Sequence, residues 1–306
     1  MIFFTVFKQV VILLILIMLG FVLTKFGTLK EDGVKCMTDV VLAIVTPCVI
    51  IKSFIREFNK DTLKGIIISF ICGAVAHFMF IVVSRLLFRK NKPDAKKVFQ
   101  FAVVFGNCGF MSLPLQEAVL GDIGLLYGGS FVAMFNILAW SYGIVLMSGD
   151  KKYLSVKKIV VNPGIIGFVI GMIVFLTRIE LPEIIYQPIN YLAGLNTPLP
   201  MIIIGYHLAN SQFIEGLRDK QAMLAVVTRL VILPLLVLGF FMLVGIRGDL
   251  LVSIIIFASA PTAATTTMFA SKFGRDTSLS VNIVSVSTVI SLITMPLLIT
   301  LSMMIS

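Results

Sequence analysis

FGNCGFMSLP, Phe105 to Pro114, places two glycines, an asparagine, a serine and a proline inside a long apolar run. A helix wholly exposed to lipid avoids such residues, because backbone groups freed by a break find no water there. The backbone of this stretch is therefore expected to face protein, water or a ligand. How the rest of the chain is read depends on which.

The surrounding composition answers the first question. Of 306 residues, 58% are hydrophobic and 13% charged, and the mean hydropathy is +1.06. A soluble exterior must be largely polar, so this is the composition of an integral membrane protein. Cys36, Cys48, Cys72 and Cys108 form no CxxC pair and lie in or beside apolar runs, which reads as core packing rather than a disulfide framework or a metal site. The net charge of +10 is spread over short loops between apolar segments, a topology signal that argues against nucleic acid as a partner. The run VVILLILIMLGFVL, residues 10–23, lacks a small-residue cleavage site and reads as a retained first span.

A membrane span needs about 20 mostly apolar residues. On that basis spans are expected at 4–24, 36–54, 64–87, 97–118 and 123–147. Five more are expected at 159–177, 184–209, 220–244, 250–271 and 277–304. Loops after odd-numbered spans carry 17 Lys and Arg, those after even-numbered spans 6. Basic residues stay in the cytoplasm, which puts both termini on the extracytoplasmic side of a multi-pass protein of the plasma or inner membrane. The loop after the second span, with Lys52, Arg56, Lys60 and Lys64, runs against this rule.

The two halves resemble each other at a nearly fixed offset. Leu23-Thr24-Lys25 recurs as Leu176-Thr177-Arg178, Thr46-Pro47 as Thr197-Pro198, Pro114 as Pro261 and Asn136 as Asn282. The expected fold class is thus an all-α polytopic membrane protein whose ten spans form a five-plus-five inverted repeat, residues 1–150 and 151–306. An odd number of spans per half makes the second half enter from the opposite side, an architecture typical of secondary transporters. In the repeat, span four breaks at Gly106, Gly109 and Pro114, and span nine breaks within FASAPTAATTTMFA, residues 257–270. Corresponding interrupted spans point to a substrate site, where half-helix N-termini offer free amides and partial positive charge to an anion.

Side chains near the breaks supply the candidates. Asn107, Cys108, Ser112 and Pro114 lie on the first, with Asn107 and Pro114 two helical turns apart on one face. Ser259, Thr262, Thr265 and Thr266 lie on the second, as a hydroxyl stripe on one helical face beside Pro261. No carboxylate stands near either centre, which suits an anion or a neutral ligand better than a cation. The opposing reading keeps both prolines as ordinary kinks, with hydroxyls bonded to their own helices.

GNCGFMSLPL in span four, FNILAWSYG in span five and NPGIIGFVIG at the start of span six together resemble the auxin efflux carrier family. PLPMIIIGYHLA in span seven and SAPTAATTTMFASKFGRD in span nine extend the resemblance over essentially the whole chain. It implies a fold like that of sodium/proton antiporters and bile-acid transporters, in which broken spans four and nine cross near mid-membrane and a transport unit moves against a scaffold. It implies substrate contacts for Asn107 and Pro114, with Pro261 as the crossing proline of the second half. Bacterial members include malate and malonate permeases, which implies a small organic anion, a carboxylate, as cargo. Plant members use an acid in an Asp-Thr-Leu stretch opening span three, and Asp61-Thr62-Leu63 is similar, although Lys64 follows without the intervening residue those members have. Their long cytoplasmic loop is absent, which argues against auxin itself.

Ionisable residues at membrane depth are functional candidates by default. His77 is mid-span, Arg229 lies about 14 Å into span eight at helical rise and is expected to meet an anion or a carboxylate, and His207 lies near a span end. Asp39, Asp61, His77, Arg229 and Glu117 are the candidates for coupling or charge relay. No organic cofactor is expected; the coupling ion, proton or sodium, stays open, as does a homodimer. Neither GxxxxGK[ST] nor HExxH occurs, which argues against ATP drive and against an intramembrane protease. A sodium-coupled carrier, a cation/proton antiporter and a non-transporting receptor on the same fold are the alternatives to an organic-anion transporter.

Overall fold

The computed structural model describes residues 2–210 and 213–306; the side chains of 2–7, 10 and 213–215 lie outside the description. Helix α1 runs Ile2–Lys25, α2 Glu31–Phe54 and α3 Lys60–Leu87. Next come α4, Pro93–Val104, α5 over 108–120 and α6, Asp122–Ser148. The second half holds α7, Val156–Val160, α8, Pro163–Thr177, α9, Glu183–Ala193, α10, Pro198–Ala209, and α11, Phe213–Arg218. It ends with α12, Lys220–Leu243, α13, Gly248–Ala258, α14, Thr265–Lys272, and α15, Thr277–Ile305. Among the described residues there is no strand. Helices α2, α3, α6, α12 and α15 are each long and apolar enough to cross a membrane, and α1, α8 and α13 add shorter apolar stretches. The molecule is thus an all-helical polytopic membrane protein.

Helix starts reach beyond the apolar runs because polar caps lie just outside them. Asn59 Oδ1 accepts from the Asp61 amide at 2.7 Å, Asn162 Oδ1 from Gly164 at 2.9 Å, and Asp219 Oδ1 from Gln221 at 2.8 Å. Each satisfies an amide that the first helical turn leaves without a carbonyl. Two expected spans are subdivided. The 159–177 stretch starts α8 only at Pro163, behind its Asn162 cap, and the 184–209 stretch passes through a 3₁₀ turn, Gly194–Asn196, before Pro198.

Prolines inside spans act less as breaks than as wideners. Pro47, Pro114 and Pro234 each stand two residues past the end of a π turn, over Val41–Val45, Cys108–Ser112 and Thr228–Ile232. A proline lacks the amide and crowds the carbonyl four residues back, and shifting to i→i+5 bonding relieves both. This corrects the expectation that Gly109 and Pro114 break their span. Both lie within α5, and the interruption falls earlier, at Phe105–Asn107.

Two groups of helices pack side by side. In one, α1 crosses α10 and α2 packs on α8 and α9. In the other, α3 packs on α6, while α13 and α14 pack on α15. Glycines set the closest approaches in the first group. A Cβ on Gly20 would overlap Ile202 O, one on Gly205 would overlap Ile17 O, and one on Gly167 would lie 2.8 Å from Pro47 Cα. Small residues of this kind let membrane helices meet backbone to backbone, where packing rather than the hydrophobic effect drives association.

Gly205→Leu is therefore expected to separate α1 from α10 and lower the thermal unfolding midpoint sharply, at a cost of about 1–3 kcal/mol or more for forced overpacking. Gly239→Ala, where an added Cβ meets nothing within 4 Å, is expected to leave the midpoint unchanged or slightly raised. Thermal unfolding in detergent checks the pair; equal behaviour of the two variants would rule the close approach out as a stabilising contact.

Candidate functional site

The interruption at Phe105–Asn107 and the one at 259–264 meet in the middle of the second group. Asn107 N donates to Pro261 O at 2.7 Å and Ala263 N donates to Phe105 O at 2.9 Å, a short antiparallel bridge centred on Gly106 and Thr262. Asn107 then turns the chain with φ −76° and ψ 66°, and Cys108 N reaches back to Gly106 O at 2.8 Å, an inverse γ-turn. Each break thus supplies backbone partners for the other, which answers the demand that lipid places on a freed backbone.

Four helix ends converge here, and the two C-terminal ones are closed by side chains. Arg229, fully buried, donates from Nε to Ala260 O at 2.8 Å and from Nη2 to Phe257 O at 3.3 Å, both at the end of α13. Its Nη1 donates to Val103 O at 3.3 Å, at the end of α4, and its guanidinium lies 5.0 Å from the centre of the Phe80 ring. Thr262 Oγ1 donates to Ala102 O at 3.1 Å, and Ser112 Oγ to Ile256 O at 3.4 Å. Gln116 Nε2 adds a bond to Ser253 O at 2.9 Å. Helix C-termini carry about −0.5 charge each, so one guanidinium matches two of them. Arg229, expected to face an anion or a carboxylate, therefore meets carbonyl oxygens instead. The π turn over Thr228–Ile232 is the segment that presents it.

The two N-terminal ends are left more open. Asn107 Oδ1 caps Phe110 N at 3.2 Å, and Asn107 O accepts from Met111 and Ser112. The amides of Ala264 and Thr265 make no hydrogen bond among the described residues, and that of Gly109 has no oxygen acceptor and meets only the Cys108 sulfur. Beside these ends is a cavity of about 30 Å³ lined by Asn107, Phe110, Ala264 and His207, with Ser285 and Thr288 on its α15 side. Ile203, Ile204 and Leu208 of α10 close it from the first helix group.

The other sequence candidates distribute unevenly. The supposed stripe of Ser259, Thr262, Thr265 and Thr266 does not exist as one helical face, because 259–264 is not helical. Ser259 Oγ returns to Ile255 O at 2.7 Å, Thr262 bridges to α4, and the buried hydroxyls of Thr265 and Thr266 have no partner. Cys108 and Pro114 are buried in α5, away from the lining of the cavity. His77 Nδ1 lies 2.7 Å from Gly73 O, which places the proton on Nδ1 and leaves Nε2 unpartnered among the rings of Phe80, Phe105, Phe135 and Phe257. Asp39 and Asp61 are exposed, and Glu117 is half-buried near the end of α5, so none of these acids joins the crossing. Sequence reasoning missed Ser285, Ser287 and Thr288 of α15. Their signal was the hydroxyl-rich run SVNIVSVSTVIS, residues 280–291, of which Ser287 Oγ accepts from Thr262 N at 3.1 Å.

An all-helical membrane protein with two interrupted helices bonded to each other at a polar centre is of the transporter class. The family model described as membrane transport protein matches residues 5–299, and the chain belongs to that family, the one that includes the auxin efflux carriers. The chain is 28% identical over 301 residues to a protein named an uncharacterized transporter in Methanothermobacter thermautotrophicus, covering 97% of this chain and 98% of that one. It is 24% identical over 301 residues to another uncharacterized transporter, from Methanocaldococcus jannaschii, covering 94% and 96% respectively.

Because a Cβ on Gly106 would overlap the Arg229 guanidinium, the two positions are expected to be strongly coupled. Arg229→Met leaves several carbonyls unmet and is expected to lower stability by about 3–5 kcal/mol, the usual effect of removing one member of a buried charged contact. Gly106→Ala is expected to be costly in the native background and much less so beside Arg229→Ala. A double-mutant cycle on unfolding free energy checks this; additive effects would mean that the guanidinium does not organise the crossing.

Proposed function

We propose that the protein is a secondary transporter of a small organic anion, a carboxylate, working by alternating access. The observation that carries this reading is the electrostatic asymmetry of the crossing. Arg229 neutralises the two C-terminal ends, while at the N-terminal ends the Ala264 and Thr265 amides stay unbonded and the Gly109 amide lacks an oxygen acceptor, with no carboxylate beside them. Such ends attract negative charge. The Asn107 Nδ2 group makes no hydrogen bond within the described protein and lines the cavity, so it is free to donate to a carboxylate.

The ten-span inverted repeat supplies the mechanical half of the proposal. α4–α5 and α13–α14 are its two crossing spans, and the group built on α3, α6, α12 and α15 is the transport unit. The group built on α1, α2, α8, α9 and α10 is the scaffold. A cavity of about 30 Å³ holds water and no dicarboxylate. Loading then requires α10 to move away from the crossing, which is relative motion of the two groups. Sodium coupling is the second reading, favoured by the unpartnered hydroxyls of Thr265 and Thr266, which are hard oxygen donors.

Uptake of radiolabelled mono- and dicarboxylates into proteoliposomes tests the proposal. Asn107→Ala is expected to reduce uptake about tenfold or more, as losing a hydrogen bond to a charged ligand costs about 1.5–3 kcal/mol, while the protein stays folded with its unfolding midpoint lowered only by the lost Phe110 cap, about 1 kcal/mol. Full uptake in this variant, or no carboxylate flux by folded wild-type protein, would overturn the reading. Repeating the uptake with and without sodium at fixed pH decides the coupling ion.

A further inference from the structure

A second cleft lies apart from the crossing, where the chain leaves α2 and α8. It has a volume of about 440 Å³ and is lined by Ile55, Arg56, Glu57 and Phe58 on one side and Val174, Arg178, Ile179 and Glu180 on the other. Neither guanidinium forms an ion pair among the described residues, although Asp122 at the start of α6 interacts electrostatically with Arg56 at longer range. Arg56 Nε donates to Ser53 O at 3.0 Å, at the end of its own helix. The Arg178 guanidinium stacks 4.6 Å from the centre of the Phe58 ring, which itself lies 5.3 Å from Phe175. Arg178 ends α8 in the left-handed region, φ 58° and ψ 29°, and is the sole non-glycine residue with positive φ among those described. A long, branched cation is an uncommon choice for that backbone position. Among the described residues the ion pairs are Lys152–Asp150 and Arg275–Asp94, so neither arginine of the cleft is paired, although Glu57 and Glu180 line the same space.

Between the charged residues the walls carry Ile55, Phe58, Val174 and Ile179, and the neighbouring face of α8 is apolar. Ile173 and Leu176 of α8, next to the cleft, are 52% and 48% exposed, which for a membrane helix means contact with acyl chains. The loop that contributes Arg56 is also the one whose Lys52, Arg56, Lys60 and Lys64 run against the distribution of basic charge elsewhere.

We propose that this cleft binds a membrane phospholipid, its phosphate held between Arg56 and Arg178 and its acyl chains lying along α8. A guanidinium presents a planar fork of donors that fits two phosphate oxygens, and the membrane interface is where such a headgroup is supplied. The two glutamates in the same cleft match an ammonium beside the phosphate, so an ethanolamine headgroup is the form that satisfies all four charges. A free phosphate would engage the arginines alone and leave the apolar wall uncovered.

The test uses the purified full chain in detergent. Phosphatidylethanolamine is expected to raise the thermal unfolding midpoint by a few degrees and to remain on the protein as one retained lipid in native mass spectra. Inorganic phosphate at the same concentration is expected to do neither. Arg178→Gln, at an exposed position with no hydrogen bond to the protein, is expected to lose at least half of the lipid-induced shift, and Arg56→Gln with Arg178→Gln to abolish it. Lys60→Gln with Lys64→Gln, outside the cleft lining, is expected to keep it. An equal shift from inorganic phosphate, an undiminished shift in Arg178→Gln, or no shift in the wild-type protein would each overturn the proposal. None of these outcomes bears on carboxylate uptake.

Discussion

One guanidinium holds the centre of this molecule together. Two helices stop inside the apolar layer, and each leaves C-terminal carbonyls that water cannot reach. Arg229 donates to both ends at once, to Val103 on one side and to Phe257 and Ala260 on the other. The two ends carry about −0.5 charge each, so a single fixed cation balances them without a carboxylate. A lysine in its place would offer a compact point charge; the planar fork of arginine reaches three carbonyls from one position. The rest of the crossing is arranged around this contact. Gly106 has no side chain because the guanidinium occupies its space, and Thr262, Ser112 and Gln116 answer the carbonyls that Arg229 leaves.

Balancing one pair of ends leaves the other pair to act. The amide-rich ends near Asn107 and Ala264 sit beside a cavity closed from the opposite helix group by α10. α10 is itself fixed to α1 by backbone contact through Gly20 and Gly205, and Lys25 Nζ donates to Ala209 O at 2.9 Å at its far end. The wall of the cavity therefore belongs to one closely packed pair of helices and its floor to another set. Arg275 ties that second set at its rim, donating to Met147 O at 2.9 Å and Ser148 O at 3.0 Å while pairing with Asp94. The linker between the halves is short and polar. There the Lys152 amide and ammonium hold the Asp150 carboxyl below its usual range.

Much of this was legible in the residues. The five long apolar helices followed from apolar run lengths, and FGNCGFMSLP with FASAPTAATTTMFA marked both interruptions. Less legible was which residue of each stretch does the breaking. Pro114 reads as a breaker, yet a π turn absorbs its missing amide, and the chain opens instead at Gly106. Pattern alone cannot choose between those outcomes, because the choice depends on what lies opposite. The facing extended stretch Pro261–Ala263 supplies partners only at 105–107. The hydroxyl stripe failed for the same reason, since a helical face was assumed through residues that extend to make the bridge.

By itself, the sequence determined that the chain is a membrane protein of many apolar helices, that two of them are interrupted, and that its family is one of transporters. Those properties follow from composition, run length and local motif, which act over tens of residues at most. Only the tertiary structure decided that Arg229 faces carbonyls rather than an acid, that Ser287 serves Thr262, and that α10 closes the cavity. Each of these joins residues far apart in the chain or on separate helices. Their pairing is set by which backbone groups remain unsatisfied once the helices have packed.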